Sequence, residues 1–255
     1  VRAMFNSFLK LTSICFALLL LPISIMAQEL PSSSLYVVTS CYVNEGSSFL
    51  DAVEEARATI PNDDNAANTM FFRQPIAGTN FEKNQFFRVV SWNNLQHWAQ
   101  PRSLPATQEY SCDNHNRTFH TTRVVGTNGN TAYTDTDVAF VSTRQCMAKD
   151  GVSLYEVYDW VDTRVSRGQA RRQNDNTTVQ MSHKILGASP NVAGGRMITI
   201  RRIGDSRQGY ARLFDELWMG TRDRTLGALP DAPFEFCTDG NLTESYIVHS
   251  LGRGI

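Results

Sequence analysis

Two hydrophobic rhythms alternate along this chain, and they do so twice in the same order. "SLYVVTSCYV" is apolar and β-branched and predicts a strand. "NEGSSFLDAVEEARATI" then changes period: Phe49, Leu50, Val53 and Ala56 recur at helical spacing, with Ser47 or Ser48 placed to cap and Asp51 in the first turn. "TMFFRQPIAG" and "NQFFRVVSW" predict two strands, "NNLQHWAQ" a short helix and "RTFHTTRVVG" a last strand. The second half repeats this order. "DVAFVSTRQCM" is a strand, and "GVSLYEVYDWVDTRVSRGQA" is a helix with Leu154, Val157, Tyr158 and Val161 on one face. "TTVQMSHKILGA" and "GRMITIRRIG" are strands, "DSRQGYARLFDELW" is a helix, and "ESYIVHSLG" closes the copy.

The repetition is also literal. The offset that carries Cys41 onto Cys146 carries Glu45 onto Asp150, Gly46 onto Gly151, Ser48 onto Ser153, Phe49 onto Leu154 and Asp51 onto Glu156. "CDNHNRT" from Cys112 has its counterpart in "CTDGNLT" from Cys237. Each copy thus has one cysteine near its start and one near its end. The repeat selects Cys41–Cys112 and Cys146–Cys237 from the three connectivities that four cysteines allow. Strand, helix, strand, strand, helix, strand is the ferredoxin-like βαββαβ order. The expected fold class is therefore α+β, two tandem ferredoxin-like units packed as a fused, pseudo-dimeric α/β barrel. The first unit covers 28–126, a polar, turn-rich linker covers 127–137, and the second unit covers 138–255.

Arg2, Lys10 and the apolar run up to Met26-Ala27 have the form of a secretory signal peptide over 1–27, with Pro22 and Ser24 interrupting any membrane span. The expected location is secreted or periplasmic, where disulfides persist. With 24 basic and 25 acidic side chains, no bulk charge points to nucleic acid. No second apolar run approaches spanning length. No close Cys/His pair has the spacing of a zinc site, and there is no phosphate loop, Rossmann glycine pattern, GxSxG or HExxH. No metal and no cofactor are expected, and the oligomeric state is open.

"QFFRVVSWNNLQHWAQ", with a strand, Trp92 and a short helix carrying His97, resembles the antibiotic-biosynthesis-monooxygenase type within the dimeric α/β-barrel superfamily. The resemblance spans nearly all of the chain after the signal. It implies cofactor-independent oxidation of a small aromatic or carbonyl compound, with His97 and Trp92 as the catalytic pair. The second copy has Ile203 and Gly209 at the corresponding places. Haem-binding relatives would need an axial histidine, for which the second half offers only His183 and His249.

Strand alternation sorts the remaining chemistry by face. Arg73 lies opposite Met70 and Phe72, and Gln180, Ser182 and Lys184 lie opposite Val179 and Met181. Arg88, Trp92, Thr199 and Arg201 join this mixed face, with Arg144 from the first strand of the second copy. Arg73, Arg88, Arg144, Lys184 and Arg201 are thus the candidate ligand-binding cations. Set among aromatic side chains, they suit a small, partly apolar anion. The same positions also fit a solvated sheet surface, or Arg stems packed over aromatics. His97 also fits a polar position on a short helix. Asp51 and Glu156 are accounted for by the helix dipole. The leading expectation is a disulfide-braced barrel that binds a small anionic molecule. A monooxygenase-like enzyme and a self-assembling structural protein are the alternatives.

Overall fold

A computed structural model describes residues 29–60, 65–101, 106–129, 138–172, 175–187, 195–219 and 230–251. The expected signal segment 1–27 and positions 130–137 of the expected linker lie outside the described residues. Everything below concerns the unit Pro31–Ile255.

Among the described residues ten strands form one sheet: β1 (Ser34–Val43), β2 (Thr69–Ala77), β3 (Gln85–Trp92), β4 (Tyr110–Cys112), β5 (Thr118–Val125), β6 (Val138–Ala148), β7 (Thr178–Leu186), β8 (Met197–Ile203), β9 (Phe234–Cys237) and β10 (Asn241–Ser250). The order runs β10-β2-β3-β1-β5-β7-β8-β6, and β6 pairs back to β10. Eight strands therefore close into a barrel, with every pairing antiparallel. Closure leaves no strand of the ring with an unpaired edge.

This corrects the expected fold class. The molecule is a closed antiparallel β-barrel with few helices, not two ferredoxin-like βαββαβ units forming an α/β barrel. Two local features account for the difference. "NNLQHWAQ" yields only the one-turn helix α2 (Leu95–Trp98): Asn94 caps it at 2.8 Å from the His97 backbone N–H, and Pro101 follows. The second cysteine of each copy sits on a separate short strand that the pattern did not predict. β4 pairs with β1 at Cys41↔Cys112, and β9 pairs with β6 at Cys146↔Cys237. Both expected disulfides are formed, with S–S distances of 2.01 and 2.06 Å.

The longer helices pack on the outside. α1 (Phe49–Thr59) buries Phe49, Ala52, Val53 and Ala56 against Leu35, Val37, Phe72 and Phe86. α3 (Leu154–Ala170) buries Val157 and Val161 against Val125, Val179, Met181 and Ile198. The repeated residues explain how both helices begin. Gly46 and Gly151 turn the chain at φ +89° and +76°, conformations that favour glycine. Ser48 Oγ then accepts from the Asp51 N–H at 3.2 Å while Asp51 Oδ2 accepts from the Ser48 N–H at 2.7 Å. Ser153 and Glu156 make the same reciprocal pair at 3.2 and 2.7 Å. Ser48→Ala or Ser153→Ala is expected to cost about 1 kcal/mol, read as a lower urea midpoint with an unchanged slope. α4 (Arg207–Phe214) runs into a π-helical turn, Asp215–Met219. Among the described residues no helix is long and apolar enough to cross a membrane.

Candidate functional site

With both helices outside, alternate residues of each strand face opposite sides of the barrel wall. The outward set on β1 and β3 includes Val37, Thr39, Arg88, Val90 and Trp92. α1 covers only part of this set. The rest forms the floor of a cleft of about 550 Å³, whose rim is built by Thr59 and Ile60, Asn65–Ala67, Trp98 of α2, and Tyr110, Asn114 and Arg117 around β4.

Apolar, aromatic and cationic side chains line the cleft together. Trp98 packs edge-on against Phe119 with ring centres 4.9 Å apart, and the Arg117 guanidinium lies 5.9 Å from the Trp98 ring centre. Arg88 Nη2 donates to Asn114 Oδ1 at 2.9 Å. Arg88 Nε is buried and has no hydrogen-bond partner among the described residues. Burial is the main cause that lowers the pKa of Arg88; Arg117 adds to it, and the neighbouring Tyr110 opposes it. Burial likewise raises the Tyr110 hydroxyl, with Arg88 pulling the other way. A half-buried guanidinium next to tryptophan can take an anionic head whose body lies on the rings.

The five expected cations do not share one face. Arg88 lines the outer cleft. Arg73 and Arg201 are inside the barrel, both about 95% buried. Arg73 Nε donates to Ser245 Oγ at 3.3 Å, and Arg201 Nη1 donates to Ser182 Oγ. Half-buried Lys184 is paired with His120 across β7 and β5. Arg144 is exposed on β6. The face assignment held together Arg73, Gln180, Ser182, Thr199 and Arg201 but reversed β3. There Phe87, Val89 and Ser91 point inward, and Arg88 and Trp92 point outward.

Trp92 and His97 meet edge-on at 5.1 Å between ring centres. Trp92 lines the cleft, and His97 is not among the described residues that do. His183 Nε2 donates to the Gly195 carbonyl, and His249 Nε2 to the Ala67 carbonyl. Sequence reasoning passed over Tyr110, Asn114 and Arg117, which come to the cleft only through the short β4, and Tyr36, which looked like one more apolar strand residue.

No protein-family profile matches the chain, and no curated protein matches it. Among solved structures it is similar to the crystal structure of an anthrone oxidase-like protein, at 10% identity and a TM-score of 0.42, over 87% of this chain and 95% of that one.

Proposed function

We propose that this is an exported, disulfide-braced β-barrel whose outer cleft binds a small, partly apolar anion. The observation that carries the reading is Arg88: its half-buried guanidinium lines a cleft that Trp92, Trp98, Met70 and Val90 also line. The volume of about 550 Å³ suits a ligand of small-molecule size. The two disulfides agree with an oxidising compartment.

Calorimetric titration with aryl and alkyl carboxylates, each paired with its neutral amide, tests this. At least one carboxylate is expected to bind saturably and more tightly than its amide. A charge-assisted hydrogen bond contributes roughly 1.5–3 kcal/mol, so Arg88→Gln should weaken that carboxylate by about 10- to 100-fold and leave the amide nearly unchanged. Equal binding of acid and amide, or no effect of Arg88→Gln, would sink the reading.

A further inference from the structure

We propose that the barrel interior is a second site, separate from the outer cleft, that holds a small inorganic anion between Arg201 and Arg73, beside the Tyr36 hydroxyl and the Gln180 amide. The argument starts from what a buried arginine needs. A guanidinium removed from water is costly unless an opposite charge or a full set of acceptors replaces the solvent. Neighbouring Arg202 meets that need. It points to the other side of the wall, where its Nη1 reaches Asp175 Oδ2 at 3.2 Å and Thr177 Oγ1 at 2.6 Å.

Arg201 does not. Its hydrogen bond goes to a neutral hydroxyl, Ser182 Oγ, which is itself bonded to Thr122 Oγ1 at 2.8 Å. The groups that act on its charge are Arg73, a like charge, and Tyr36. No carboxylate is among them. Burial, then Arg73, brings the Arg201 pKa down to about 9, so the cation persists at neutral pH without a counter-charge among the described residues. Tyr36 cannot provide one, because burial raises its pKa and keeps the phenol protonated.

Gln180 points to the same place independently. It lies directly across β7 and β8 from Arg201, is 1% exposed, and has one amide atom, Oε1, without a partner among the described residues. Its Nε2 lies 3.0 Å from Tyr36 Oη. Exchanging the amide O and N leaves the heavy atoms in place. The Tyr36 O–H then donates to the amide oxygen, and the freed N–H₂ can donate to an anion beside Arg201. Tyr36, Gln180 and Thr122 also line a recess of about 310 Å³, with Pro31–Ser34 on its wall. Tyr36, Phe71 and Val89 pack together over the adjoining wall, so the occupant is small.

The test uses the intact chain. Thermal unfolding is followed at constant ionic strength as gluconate is replaced by bromide, nitrate or sulfate. A saturable rise of several degrees is expected with at least one of them, as for any ligand bound only by the folded state, and Arg201→Met should abolish it. The three anions separate a halide from a singly or doubly charged oxyanion. Crystals of the unaltered protein soaked in bromide should show an anomalous peak inside the barrel at Arg201. That experiment decides the matter if Arg201→Met does not fold. Bromide at surface positions only, an adventitious ion only, overturns the proposal. So does a stabilisation that never saturates or that survives in Arg201→Met.

Discussion

Replacing Cys41 and Cys112 together with alanine is expected to destabilise the protein by about 4 kcal/mol, and replacing Cys146 and Cys237 by a similar amount. The bridges close loops with sequence separations of 71 and 91 residues. In the chain-entropy account the unfolded state loses freedom only with the logarithm of loop length, so the two losses should be nearly equal. Each is a large share of the 5–15 kcal/mol that typically holds a domain together. Urea unfolding without reductant checks the magnitude. Function separates the two variants. Cys112 ties β4 to β1, and β4 brings Tyr110 to the outer cleft, which Cys112 also lines. Loss of the first bridge should therefore weaken carboxylate binding there, and loss of the second should not. Equal effects on binding would show that the bridges act only on global stability.

The bridges were legible because the chain states the arrangement twice. Two cysteines alone cannot reveal their partner, but a second copy with the same spacing and flanking residues removes the ambiguity. Gly46, Ser48 and Asp51 were legible for a related reason: a turn and a helix start are local, and both copies solve the problem in the same way. β4 and β9 were not, because strands of three and four residues carry no periodicity of their own. Long-range pairing to β1 and β6 and a covalent bond hold them in place. Without them each copy read as strand, helix, strand, strand, helix, strand, which suggested a βαββαβ unit where the ring is a single closed barrel.

The faces show where alternation succeeds and where it fails. On β7, Gln180 and Ser182 alternate with Val179 and Met181, so the polar side could be placed inside. On β3 both sides are apolar: Phe86 and Val90 pack under α1, while Phe87 and Val89 face inward. A strand with two apolar faces has no phase to read. Arg88 was grouped with Arg201 for that reason, and the two lie on opposite faces of the barrel wall.

The largest pH effect should come from His120, which sequence reasoning left without a role. Its side chain is 6% exposed on the inner wall. Nε2 meets Thr118 Oγ1 at 3.0 Å, and Nδ1 is buried without a partner among the described residues. Burial, then the charges of Arg201, Lys184 and His183, lowers its pKa from 6.5 to about 3. The unfolded chain takes up this proton near pH 6.5 and the folded barrel only near pH 3, so between those values the unfolded state holds more protons. Stability is then complete above pH 6.5 and falls as the pH drops toward 3, by up to roughly 5 kcal/mol at 1.36 kcal/mol per pH unit. His249 shifts in the same direction, chiefly through burial, so wild-type acid lability alone does not isolate His120. His120→Gln keeps a hydrogen-bonding group near Thr118 and removes the titration. Urea unfolding near neutral pH and near pH 4 should show the wild type losing roughly 3 kcal/mol more than this variant. An equal loss in both would mean that the His120 ring reaches water, and with it a proton, without the barrel opening.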